Sequence, residues 1–159
     1  MWGKTDGEPV CTHYFYNKRW IFGALSSYST IARVYHLITN WKMPNALIID
    51  DETDIWVLLS SILRKHNFKT YYVNNLEAAT KRMELEVPAI IFLDNHLPDG
   101  FGLDFIQFIK LNYPTTKIVM ITGYDDHHNR KRALHEGADL FISKPFSSET
   151  INNSIKILL

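Results

Sequence analysis

The chain is nearly devoid of cysteine: Cys11 stands alone among 159 residues. One thiol closes no intrachain disulfide and builds no cysteine-rich zinc site. That scarcity fits a reducing, cytoplasmic setting. No uninterrupted apolar stretch nears the roughly 18 residues that a transmembrane helix needs. The amino terminus has no basic start, apolar middle and small-residue cleavage site in that order, so no signal peptide is expected. Net charge is missing too, because 17 Lys+Arg balance 17 Asp+Glu. Such balance offers no bulk field to nucleic acid or membrane. No Gly-x4-Gly-Lys-Ser/Thr motif occurs, which excludes a P-loop nucleotide enzyme as far as motif goes. There is no internal repeat and no low-complexity tract.

The neutral total hides an asymmetry. Residues 1–43 carry five bases (Lys4, Lys18, Arg19, Arg33, Lys42) against Asp6 and Glu8, a net of +3. Residues 44–159 carry the other 12 bases against 15 acids, a net of −3. Patterning also changes near Met43-Pro44. Before it lie many aromatics without a sustained period, and only Ile31, Val34, Tyr35 and Ile38 suggest a short helix face. Ser29 or Thr30 is available to cap it.

After it, apolar runs alternate with helix-length stretches. Strands are expected at Ala46–Ile49, Lys69–Val73, Ala89–Leu93, Lys117–Ile121 and Leu140–Ser143. Helices are expected from Thr53 or Asp54 to His66-Asn67, Leu76 to Glu86, Leu103 to Leu111, Asp125 to Glu136, and beyond a Ser147 or Ser148 cap. Gly137 is a good helix stop, and His96-Leu97-Pro98-Asp99-Gly100 reads as a loop with turn chemistry. Right-handed crossovers would make this an α/β fold, a doubly wound five-stranded parallel sheet with helices on both faces.

Four of the strands end on polar residues: Asp50-Asp51-Glu52, Asp94, Thr122-Gly123, and Lys144-Pro145-Phe146. Parallel strands share a carboxyl edge, where open α/β sheets bind ligands. Crowded carboxylates repel one another, and a hard cation such as Mg2+ removes that cost with few protein ligands. The same acids, Asp50 and Asp51, could instead cap the following helix. Asp94, at the mouth of an apolar strand, can attack phosphorus to form an acyl phosphate, or it can simply begin a turn. Thr122 offers a hydroxyl to a phosphoryl oxygen, although alone it reads as an ordinary strand residue. Lys144 offers a compact ammonium, or is a solvated surface lysine. A cis Lys144-Pro145 bond is compatible with this turn.

Taken in order, Leu47-Ile48-Ile49-Asp50-Asp51-Glu52, Leu93-Asp94 with Leu97-Pro98-Asp99-Gly100, Ile121-Thr122-Gly123 and Lys144-Pro145-Phe146 resemble the receiver domain of two-component response regulators. The likeness covers residues 45–159. It implies that Asp94 is phosphorylated by a sensor histidine kinase or histidine phosphotransfer protein. It implies that Asp50, Asp51, Asp94 and the His96 backbone carbonyl bind Mg2+, with Thr122 and Lys144 on the phosphoryl group. Phe141 holds the family's switch-aromatic position, so the face of the fourth helix and fifth strand would change on phosphorylation. His96 and Tyr124 sit where the family tunes dephosphorylation, and their bulk is expected to slow it.

The resemblance is silent on residues 1–43, which read as an interaction or dimerisation arm, a membrane-lying segment or, in the favoured reading, extra sequence before a natural start at Met43. His127 and His128 diverge by about 100° on a helix and rarely share one ion. Arg130-Lys131-Arg132 is a small basic patch, too short to argue for nucleic acid. The expected function is a single-domain receiver that switches a downstream protein target, with no DNA contact and no separate enzymatic substrate. Homodimerisation on phosphorylation, or origin as a fragment of a longer regulator, stays open. The alternatives are a phosphorylation-independent interaction module, or an Asp-nucleophile phosphatase of the haloacid-dehalogenase type. The latter needs an acid two residues after its nucleophile, where this chain has His96.

Overall fold

A computed structural model of the chain describes residues 43–123 and 127–159. The short helix expected within residues 1–43, Tyr124, and the Asp125-Asp126 start of the fourth helix lie outside the described residues.

Five long strands form one parallel sheet: β1 (Asn45–Ile49), β2 (Lys69–Val73), β3 (Ile90–Asp94), β6 (Lys117–Thr122) and β7 (Leu140–Ser143). Their spatial order is β2-β1-β3-β6-β7. The helices are α1 (Thr53–Lys65), α2 (Leu76–Leu85), α3 (Gly102–Asn112), α4 (His127–Glu136) and α5 (Ser148–Leu158). One expectation fails: residues 96–101 are not merely a loop. β4 (His96–Leu97) and β5 (Gly100–Phe101) pair as a two-residue antiparallel ladder around the Pro98-Asp99 turn. So short a ladder leaves no period-2 signal in the sequence.

The central strands β1 and β3 are buried along their whole length, as expected for strands covered on both faces. Alternate side chains divide the core in two. Leu47, Ile49, Ile91, Leu93, Ile118 and Met120 meet Ala79 and Met83 of α2, Leu103 and Ile106 of α3, and Ala133 of α4. Ala46, Ile48, Ile90, Phe92, Val119 and Ile121 meet Leu59 and Leu63 of α1 and Ile151 and Ile155 of α5.

Caps explain the helix ends. Ser147 accepts from Thr150 N at 3.1 Å and opens α5. Asn75 accepts from Ala78 N at 2.7 Å at the start of α2. Asn67 turns left-handed after α1, and Gly137 takes a φ of 112° after α4, which glycine adopts without a Cβ penalty. α1 has no side-chain cap from its Ncap residue Glu52; instead Asp50 Oδ1 accepts from Glu52 N at 2.9 Å. No helix among the described residues is long and apolar enough to cross a membrane.

At the amino-terminal edge of the sheet, Asp139 ties three elements together. Its carboxylate accepts from Lys110 Nζ of α3 at 2.8 Å, from Lys117 Nζ at 3.0 Å and from Ile118 N at 2.9 Å. Partial burial alone would raise its pKa, but the Lys110 bond, the Ile118 N–H and the Lys117 bond outweigh it and hold the carboxyl below its ordinary 3.8. A depressed folded-state pKa contributes stability above the unfolded value, and that contribution fades as pH falls through the folded value. Asp139→Asn should therefore unfold at lower urea, by about 1–2 kcal/mol at pH 7. The deficit relative to the native chain should narrow below pH 3.8. Urea titrations across that range check this.

Candidate functional site

The opposite edge of the sheet gathers the strand-end residues. Asp94 is the last residue of β3 and pairs in register with Ile121 of β6. Asp50 directly follows β1, its N–H donating to Val73 O at 3.2 Å. Thr122 ends β6 opposite Ser143 of β7, and Lys144 N donates to Thr122 O at 2.8 Å. The Lys144-Pro145 peptide is cis. Asp50, Asp94 and Thr122 are buried, at 2%, 5% and 1% exposure.

Lys144 Nζ sits among three carboxylates: Asp50 Oδ2 at 2.9 Å, Asp94 Oδ1 at 2.9 Å and Glu52 Oε1 at 2.8 Å. Burial alone would lower its pKa. Hydrogen bonds to Glu52, Asp50 and Asp94 outweigh that and hold the ammonium far above its usual range. Asp50 moves the other way from an ordinary acid. Desolvation raises its pKa above 3.8, opposed by Lys144 and by the Glu52 N–H, and the nearby Asp94 charge adds to the rise.

The other oxygen of Asp94, Oδ2, accepts from His96 N. The His96 ring lies edge-on to Phe101 with centroids 5.7 Å apart. Asn95 holds the turn, its Oδ1 accepting from Leu103 N at 3.1 Å and its backbone carbonyl from Gly102 N at 2.9 Å. Asp99 reaches away and caps α2, accepting from Leu76 N at 2.9 Å and Glu77 N at 3.0 Å. Desolvation alone would raise its pKa, but these two N–H groups, together with that of Asp99 itself, outweigh it and lower the pKa. Gly102 is needed here for close approach, because a Cβ at that position would collide with the Asp94 carbonyl oxygen.

Sequence reasoning did not single out Glu52, Asp99 or Gly102. Glu52 and Asp99 stood within quoted motifs without a role of their own, and Gly102 was not read at all. Asp51 is exposed and stands outside the Lys144 cluster. Among the described residues no three His, Cys, Asp or Glu side chains form a ready metal cage. The donor chemistry still suits Mg2+. Three carboxylates around one ammonium leave an excess of negative charge, all the donors are hard oxygens, and one or two carboxylates suffice for this ion.

Phe141 of β7 is buried in the core face shared with α4. The Arg130 guanidinium lies over its ring at 4.7 Å, a cation–π contact. Arg130 also reaches Ser143 Oγ at 3.5 Å.

The family profile of the response regulator receiver domain matches residues 46–156. The chain belongs to this family. As a receiver domain it is part of two-component signalling, and members of this family typically bind Mg2+ at their phosphorylation site. It is 38% identical over 100 residues to the response regulator protein PilR of Pseudomonas aeruginosa, covering 63% of this chain and 22% of that protein. It is 32% identical over 115 residues to the phosphate regulon transcriptional regulatory protein PhoB of Klebsiella pneumoniae, covering 71% of this chain and 50% of that protein. The chain thus spans half or less of these two relatives. The beryllofluoride-activated NtrC4 receiver domain dimer superposes with a TM-score of 0.69 at 35% identity, covering 72% of this chain and 94% of that one.

Gly102→Ala should test how tightly β3 and α3 are joined. The collision with backbone leaves no flexible group to yield, so a loss of about 1–3 kcal/mol is expected, the range for overpacking. Chemical denaturation measures it; an unchanged midpoint would show that α3 shifts freely away from Asp94.

Proposed function

We propose that this receiver domain accepts a phosphoryl group on Asp94 from a sensor histidine kinase or a histidine phosphotransfer protein. The observation that carries the reading is the buried Asp94 carboxylate, held at 2.9 Å by Lys144 Nζ beside Asp50 at the carboxyl edge of the sheet. A carboxylate oxygen of Asp94 attacks phosphorus, forming an O–P bond. The P–N bond to the donor imidazole breaks, and its electron pair leaves with that ring. Asp50, Asp51, Asp94 and the His96 backbone carbonyl would hold Mg2+. That ion supplies hard positive charge to the phosphoryl oxygens when bound. Lys144 and the Thr122 hydroxyl donate hydrogen bonds to the same oxygens. Loss of the phosphoryl group follows attack by water on phosphorus, which regenerates the carboxylate and releases inorganic phosphate.

The catalysis is self-directed, on its own aspartate, with no separate substrate. Signalling follows from Phe141: new contacts of Thr122 with phosphate favour a different seating of that ring, and the α4–β7 face then engages a protein target. A cytoplasmic setting and homodimerisation on phosphorylation accompany this reading, the latter supported by the dimeric NtrC4 receiver. The reading takes the chain as a single-domain receiver; its span of half of PhoB supports the alternative of a receiver within a longer regulator.

Intact mass after incubation with acetyl phosphate and Mg2+ tests the reading. A phosphoryl adduct is expected on the native chain, absent in Asp94→Asn and absent with chelator. A folded native chain that takes no adduct and binds no beryllofluoride would favour an interaction module that works without phosphorylation. His96→Asn should shorten the lifetime of the adduct by about threefold or more, because a smaller side chain beside Asp94 opens the approach of water. Equal lifetimes would remove His96 as a brake.

A further inference from the structure

Lys144 is held by more carboxylates than phosphoryl transfer uses. An ammonium has three N–H donors and no acceptor. Here Asp50, Asp94 and Glu52 take one each, so no donor remains for an arriving phosphoryl group. One partner must let go.

The three are not equally held. The Asp50 and Asp94 side chains are 3% and 6% exposed, whereas that of Glu52 is 59% exposed. Until Mg2+ binds, releasing either buried carboxylate from its cation leaves an uncompensated charge in a dry site. Releasing Glu52 returns it to water, and exposed ion pairs of this kind contribute little. Glu52 also has a second berth. It occupies the Ncap position of α1, where the helix dipole favours an acid even without Lys144.

We propose that Glu52 is the displaceable tether of Lys144. It occupies the ammonium in the resting state and yields its N–H to the phosphoryl group, so that the strength of this pair sets how readily Asp94 is loaded. Glu52 acts through Lys144 and is a positioning residue. Its contact also links the β1–α1 turn to the β7–α5 turn, 92 residues apart, across the mouth of the site. Breaking it on loading frees both turns at once. The inference rests on Asp94 being the phosphoacceptor.

The test compares the full-length native chain with Glu52→Gln and Glu52→Asp. Beryllofluoride affinity at saturating Mg2+ is followed by fluorine NMR, and acetyl-phosphate labelling rate by intact mass. Gln removes the charge, while Asp keeps it but is one methylene too short for the contact. Both variants should bind beryllofluoride about two- to fivefold more tightly and load faster, with urea midpoints close to native. Tightening in Gln alone would assign the effect to local charge and overturn the tether. Unchanged affinity in both would overturn it as well. A native chain that binds no beryllofluoride would overturn the phosphoacceptor reading instead, which separates the two failures.

Discussion

The carboxyl edge of this sheet depends on one ammonium. Asp50 and Asp94 are both buried, and two adjacent carboxylates in a dry setting cannot both ionise without a cation. Lys144 is that cation. The topology dictates why it is a lysine: β7 is separated from β3 by β6, and from β1 by one strand more. Only a long, flexible stem from the end of β7 reaches across the end of β6 to both acids. The same reach demands that β7 be in register with β6, which the Thr122–Ser143 pairing and the Lys144 N–H on Thr122 O secure.

The two edges of the sheet are managed differently. At the amino-terminal edge Asp139 is matched by two lysines and a backbone N–H, so its charge is more than compensated. At the carboxyl edge three carboxylates share one lysine, and the balance stays negative. The satisfied edge holds α3, β6 and β7 together. The under-neutralised edge has an unmet demand for positive charge, which in the proposed function would be the electrostatic basis for recruiting a divalent ion and then an anionic phosphoryl group. Stability and reactivity thus sit at opposite ends of the same strands.

The surroundings of Asp94 are rigid where geometry matters. Asn95 fastens the turn to the start of α3, Gly102 allows the closest approach, and Asp99 anchors the turn to α2. In the proposed function Phe141 would convert a change at this rigid site into a surface change. It lies in the core with a guanidinium over its ring, so any new seating of the ring must also move Arg130.

Much of this was legible in the amino-acid sequence by itself. Apolar runs broken by single polar residues mark strand ends whatever the partner strands are, because period and polarity are local properties. That is why Asp50, Asp94, Thr122 and Lys144 stand out, and why five strands and five intervening or terminal helices could be expected over residues 46–159. The Ser147 cap and the Gly137 stop are local in the same sense. Tertiary structure alone decided the partnerships. Glu52 meets Lys144 over 92 residues, Asp99 caps a helix 23 residues before it, and Arg130 lies on Phe141 rather than in a free basic patch. Such contacts follow from strand order and helix packing, and neither is written in the spacing of any one segment. The sequence by itself determined which residues reach the edge of the sheet; the fold decided which of them share a charge, because only packing sets the distances over which charges act.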